Sequence, residues 1–220
     1  MGVGPTWHTL RQGEGAMGLF ITFEGGDGSG KTTQIAAIKV ALESRGLEVL
    51  TSREPGGTEL GAKIRQLLLF GGEVAPRAEA LLYAADRAQN IATRVRPALE
   101  RGAIVLEDRY IDSSVAYQGG ARSLGAEEIR ELSMWATDRL TPDLTLLFDV
   151  PTDVGAQRVG GEKDRLEAEG LAFHESVRRA YLEMAAGEPE RFRVIDAAAP
   201  IEQVTAAALA AIEPLLERAR

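Results

Sequence analysis

A chain of 220 residues, 45% of them hydrophobic and 26% charged, can bury roughly 70% of its unfolded surface as one globular domain, without disulfides or a structural metal. With no Cys and only His8 and His174, thiol catalysis, thiolate-bound zinc and iron–sulfur clusters are excluded, and a multi-histidine metal centre or a Ser-His-Asp triad is hard to assemble. The net charge of -8 opposes binding to nucleic-acid polymers and anionic membranes, apolar runs such as Leu144 to Val150 fall far short of a bilayer span, and no signal-peptide pattern opens the chain, so the expected compartment is the cytoplasm.

Residues 1–16 show neither a helical nor a strand period and read as a flexible extension ahead of one domain over 17–220. Beyond them, short runs of Val, Ile, Leu and Phe alternate with longer segments of helical period, the pattern of an α/β domain built on a parallel sheet. The runs 19–24, 48–52, 103–107, 144–150 and 193–196 are the five expected strands. Their apolar stretches lack polar alternation, as strands covered on both faces should. A helix over 31–45 places Ile35, Ile38 and Leu42 on one face and ends at Gly46, which suits a left-handed cap. Pro76 starts a long helix expected to pack Leu81, Leu82, Ala85, Ile91 and Val95 inward. Further helices fit 126–139, 172–186 (Phe173, Val177, Tyr181, Met184) and 201–218 (Ile201, Val204, Ala208, Ile212, Leu215).

The first strand runs into Gly25-Gly26-Asp27-Gly28-Ser29-Gly30-Lys31-Thr32, followed by Thr33, which fits G-x-x-x-x-G-K-[ST] between a strand and a helix. Glycines let several backbone N–H groups point at one anion, the next helix offers its positive dipole end, and Lys31 adds a mobile charge. Only four of the 25 basic residues are lysines, so a lysine at this position stands out. Thr32 offers a hydroxyl to Mg²⁺. The loop is therefore expected to bind the phosphates of a nucleoside triphosphate.

Switch GTPases read guanine through Asn-Lys-x-Asp, yet the only Asn, Asn90, precedes Ile91. Partner-activated ATPases usually follow a strand-end Asp with Glu, whereas here Glu107 leads into Asp108-Arg109-Tyr110. An arginine beside that carboxylate suggests a second anion. Arg53 follows the second strand and Arg87 sits on the long helix. Strand ends on one edge of a parallel sheet form the binding crevice, so Lys31, Arg53 and Arg109 are expected to converge.

The segments EGGDGSGKTT, SREPGGTEL, LLYAADRAQ and DRYIDSSVAYQGG, in this order and spacing, resemble the bacterial thymidylate kinases over nearly all of residues 18–216. The resemblance implies the three-layer fold of phosphate-loop nucleoside-monophosphate kinases, the transfer of phosphoryl from ATP to dTMP with Mg²⁺, and a homodimer. It implies that Asp27 turns outward to the sugar 3′-hydroxyl, that Arg53 and Arg109 hold the acceptor phosphate, and that Asp108 anchors magnesium. It further implies that Tyr83 stacks on thymine with Arg87 beside it, that Ser114 and Gln118 meet the base edge, and that Tyr117 crowds the sugar 2′ position.

Between the fourth strand and the next helix, residues of about 158–170 combine Gly and charge without apolar period, which reads as a mobile lid. Gly28 stands where some family members carry a loop arginine, so the chain resembles the class with lid arginines, and Arg158 or Arg165 is expected to enter the site. Lys163 is the third basic residue there. Two other readings stay open on the residues alone: a kinase of the same fold acting on another deoxynucleotide or a deoxynucleoside, and a partner-regulated ATP switch with no acceptor.

Overall fold

The computed structural model describes residues 18–160 and 164–218. The extension expected over residues 1–16, and Lys163 of the lid, lie outside them. Five strands appear: β1 (Phe20–Glu24), β2 (Val49–Arg53), β3 (Ile104–Asp108), β4 (Leu144–Asp149) and β5 (Phe192–Asp196). All pair in parallel in the order β2-β3-β1-β4-β5. The helices are α1 (Lys31–Glu43), α2 (Glu59–Phe70), α3 (Pro76–Asn90), α4 (Arg96–Glu100), α5 (Ile111–Ser114), α6 (Ala126–Ala136), α7 (Thr152–Arg158), α8 (Leu171–Gly187) and α9 (Ile201–Arg218). Two π-helical stretches, Ile91–Val95 and Val115–Ala121, continue α3 and α5.

The sheet separates two apolar layers. On one face α1 (Ile35, Ile38, Leu42) and α9 (Val204, Ala208, Ile212, Leu216) cover Ile21, Phe23, Leu146 and Phe148, whose two rings stack at 5.7 Å. On the other, α3 to α6 cover Phe20 and Val105 while α8 covers Leu147. Register brings Thr22 opposite Thr145, and their hydroxyls share a 2.8 Å hydrogen bond, so the polar side chains in the middle of the sheet satisfy each other.

The strands fall within a residue of expectation, and Gly46 ends α1's turn at φ 78°. Three expectations are corrected. Only the three central strands are covered on both faces; the edge strand β5 leaves Arg193 and Val194 exposed. On α9 it is Leu216 that is buried, with Leu215 half-buried and Ile201 exposed. On α3, Leu81 is 59% exposed, Ala85 is exposed and Leu82 half-buried, although Ile91 and Val95 beyond it are buried as expected. The buried face of α3 carries Glu79, Ala80, Ala84, Asp86, Arg87 and Asn90 instead. Hydrogen bonding makes that possible: Arg87 Nε donates to Glu54 at 2.7 Å, and Asn90 bridges Ser52, Glu54 and Glu107.

An element that the periodic reading leaves out, α2, has its own start signal. Thr58 accepts from Gly61 N at 2.9 Å as its N-cap, and Ile64 and Leu68, four residues apart, are its buried stripe. The expected helix 126–139 stops at Ala136, and Asp138 and Arg139 take positive φ.

Candidate functional site

Every strand-end group singled out from the sequence lies on the carboxyl edge of the sheet. Two glycines of the loop after β1 are dictated by close approach. A Cβ on Gly25 (φ 136°) would lie 2.4 Å from Phe148 O, and one on Gly28 (φ 73°) would lie 2.1 Å from Gly155 O. Gly30 precedes α1, and Thr32 and Thr33 stand exposed at the helix start. Lys31 folds back over the loop, its Nζ donating to Gly25 O and Gly26 O, both at 3.0 Å, and to Ser29 Oγ at 3.3 Å. Burial, with Arg109 nearby, holds its ammonium down at a pKa of about 8.

Arg109 is the junction of the site. It follows β3 with φ 68°, anchored by N–H to Phe23 O. Nη2 donates to Asp27 Oδ1 at 2.6 Å and to Tyr117 Oη at 3.3 Å; Nη1 reaches Ser113 Oγ at 3.3 Å and Tyr181 Oη at 3.5 Å. Its Nε has no hydrogen bond to a described residue. Asp27 thus turns out of the phosphate loop toward Arg109 and Tyr117. Burial opposes its charge, but Arg109 and Lys31 outweigh that and keep the carboxyl below its ordinary range.

Two cavities meet at this pair. One, of about 120 Å³, is lined by Asp27, Arg65, Tyr83, Arg87, Arg109, Ser114, Tyr117 and Gln118. The other, open and of about 420 Å³, is lined by Gly28 to Thr33, Arg53, Arg65, Asp108, Arg109 and Arg158. Asp27, Arg65 and Arg109 belong to both. Burial pushes the phenols of Tyr83 and Tyr117 up, so both stay neutral.

Some expected groups are placed differently from the simplest reading. Arg53 is exposed on the second cavity, its side chain without a hydrogen bond or ion pair to a described residue, and does not line the first. Arg87 lines the first, but its fork already donates to Glu54, Ser133, Tyr110 O and Ser114, leaving one of five N–H groups. An isolated Arg87–Glu54 pair of this burial typically costs about 3–5 kcal/mol to break from one side. Of the two lid arginines only Arg158 lines the second cavity, with Nη1 on Ala197 O at 2.8 Å. Arg165 turns to the α2–α3 wall, where it donates to Leu68 O and pairs with Glu79.

Three groups escaped the sequence reading. Arg65 of α2 lines both cavities, held by Pro55 O at 3.1 Å. Glu24, fully buried, accepts from Tyr110 N, Ser113 Oγ and Tyr181 Oη at 2.8, 2.6 and 2.8 Å, and so fixes two of the oxygens that Arg109 touches. Its signal was an acid closing an apolar strand. Glu167 lines both cavities.

For a metal, Asp108 and Thr32 both line the second cavity, and Asp108 Oδ1 is buried without a hydrogen-bond partner. No group of three or more His, Cys, Asp or Glu among the described residues could hold an ion. A carboxylate and a hydroxyl suit Mg²⁺, which keeps several waters and takes substrate phosphates as its other ligands. No helix among the described residues is long and apolar enough to cross a membrane.

Comparison with known proteins covers most of the chain. The family model described as thymidylate kinase matches residues 23–208. The chain is similar to a thymidylate kinase of Clavibacter michiganensis subsp. michiganensis, 58% identical over 86% of this chain and 92% of the relative. It is 54% identical to one from Bifidobacterium longum subsp. infantis, covering 90% and 88%, and 49% identical to one from Thermomicrobium roseum, covering 93% and 99%.

Proposed function

The chain belongs to the thymidylate kinase family, and we propose that the two joined cavities are where it transfers the γ-phosphoryl group of ATP to dTMP, giving ADP and dTDP for dTTP synthesis. The observation that carries this assignment is Arg109, which faces both cavities and is tied to Asp27 of the phosphate loop. A monophosphate in the smaller cavity and a triphosphate on the loop would meet at that one cation.

The backbone N–H groups of Gly26 to Thr33 and Lys31 bind the donor phosphates. Thr32 and Asp108 would hold Mg²⁺, which neutralises developing phosphate charge when bound. The acceptor oxygen is largely ionised at neutral pH, its second pKa being about 6, so no general base is needed. The chain's work is therefore to bring two polyanions together: Arg65 and Arg109 offset the acceptor phosphate from the smaller cavity, Arg53 would reach it from the adjoining phosphate-loop cavity, and Arg158 is the lid cation on the side of the transferring group. Arg165 latches the lid instead. Asp27 and Tyr117 face the sugar, Tyr83 the face of thymine, and Ser114 and Gln118 its edge, with Arg87 fixing Ser114.

The segment 158–170 acts as the lid. The protein is read as cytoplasmic and as a homodimer, the dimer being supported by the exposed Leu60, Leu67, Phe70 and Leu81 on the adjoining helices α2 and α3.

Arg65 gives the sharpest check on the acceptor assignment. Arg65→Ala is expected to raise the KM for dTMP about tenfold, the scale of one charge-assisted contact, while leaving competitive binding of thymidine unchanged. Equal weakening of both ligands would show that Arg65 shapes the cavity and does not meet the phosphate.

A further inference from the structure

Glu79 stands in the first turn of α3, fully buried, and it does not line the acceptor cavity. Gln118, which does, is only 1% exposed. Glu79 Oε1 accepts from Gln118 Nε2 at 2.8 Å and lies 3.7 Å from Arg122 Nε; Oε2 pairs with Arg165. These arginines are themselves held, Arg165 by Leu68 O at 2.9 Å and Arg122 by Glu169 at 2.6 Å. The carboxylate is thus fixed behind the cavity wall and lines neither of the two joined cavities.

The two ends of a glutamine amide have nearly the same shape, but one donates and the other accepts. An ion-paired carboxylate only accepts, so Nε2 must face Glu79. Reversing the amide would set Oε1 against carboxylate oxygen in a dry site, two acceptors with no proton between them. Glu79 therefore leaves the carbonyl of Gln118 to face the cavity.

Resting on the reading that Gln118 meets the base edge, we propose that Glu79 is a specificity-determining positioning residue, which locks the Gln118 amide in the orientation that accepts from a pyrimidine N3–H. Thymine carries that proton beside its O4 carbonyl. Cytosine has a bare N3 beside an amino group, and would need the amide reversed. A site built around such a hydrogen bond rejects the mismatched analogue more strongly than shape alone can.

The test compares kcat/KM for dTMP and dCMP in the wild type, Glu79→Gln, Glu79→Asp and Gln118→Met, with melting temperature and the KM for ATP alongside. Glu79→Gln keeps the size but can offer either an N–H or a carbonyl to Gln118, freeing the amide to reverse. The preference for dTMP over dCMP is expected to fall about tenfold, mainly through KM, with the KM for ATP unchanged. Glu79→Asp, whose shorter carboxylate no longer reaches Nε2, should lose about threefold, and carries the test where the Gln variant does not fold. A lower melting temperature with the preference intact in these variants would overturn the proposal and leave Glu79 as packing. Should Gln118→Met abolish the preference while both Glu79 variants keep it, the Glu79 assignment fails and the base-edge reading stands. Should Gln118→Met itself leave the preference intact, the base-edge reading fails and the proposal with it.

Discussion

Arg109→Lys is expected to lower kcat/KM for dTMP by about 10²–10³, the range seen when one preorganised donor to a developing charge is removed. Charge is conserved in this substitution, so the loss isolates geometry. Arg109 spans four oxygens with a planar fork, two on Nη1 and two on Nη2, and still keeps Nε for an incoming phosphate. An ammonium has three donors around one nitrogen and cannot hold Asp27 and Tyr117 on one side while serving Ser113 on the other. The backbone, already at φ 68°, makes the same demand of either side chain. Steady-state kinetics with a melting curve check the result. Wild-type turnover in a folded variant would remove Arg109 from the centre of the mechanism.

Lys31→Met should lower kcat by a comparable or larger factor, on the order of 10³, because the loop would lose its only mobile positive charge at the transferring phosphate. Stability is expected to move differently. The fold holds the Lys31 ammonium at a pKa of about 8 by burying it, and its three partners, Gly25 O, Gly26 O and Ser29 Oγ, are the loop's own atoms. An apolar side chain of similar length removes that desolvation cost, so the melting temperature should hold or rise while activity collapses. Parallel loss of both would mean that Lys31 serves the loop's conformation more than its ligand.

The sheet was legible because strand and helix periods differ and because a glycine loop between β1 and α1 has one common use. Legibility ended where burial was achieved by polar pairing. The sequence pointed Leu81, Leu82 and Ala85 of α3 inward; the structure instead buries Ala80 and Ala84 together with Glu79, Asp86, Arg87 and Asn90, and these polar residues find partners in β2, β3, α6 and the stretch after α5. No window on α3 alone contains those partners. The same limit hid the role of Glu24, which acts through Tyr110, Ser113 and Tyr181, far along the chain.

The candidate site divides along the same line. Lys31, Asp27, Arg109, Asp108 and Thr32 could be placed because each adjoins a strand end whose position the topology fixes. Choosing between Arg158 and Arg165 needed coordinates, since both lie in one charged segment without period. Only the path of the chain sends Arg158 to the phosphate side and Arg165 to Glu79. Arg87 is the instructive case: the resemblance put it beside the base, and the geometry shows a fork almost fully committed to the protein before any ligand arrives.

The most direct test of the joined-cavity account is ADP formation from ATP and Mg²⁺ with dTMP, dUMP, dGMP, AMP, thymidine or no acceptor. The account predicts strong stimulation by dTMP and none by thymidine, since the cations of the acceptor side need a phosphate to offset. Stimulation by thymidine equal to that by dTMP, or an unchanged rate with every acceptor, would contradict it.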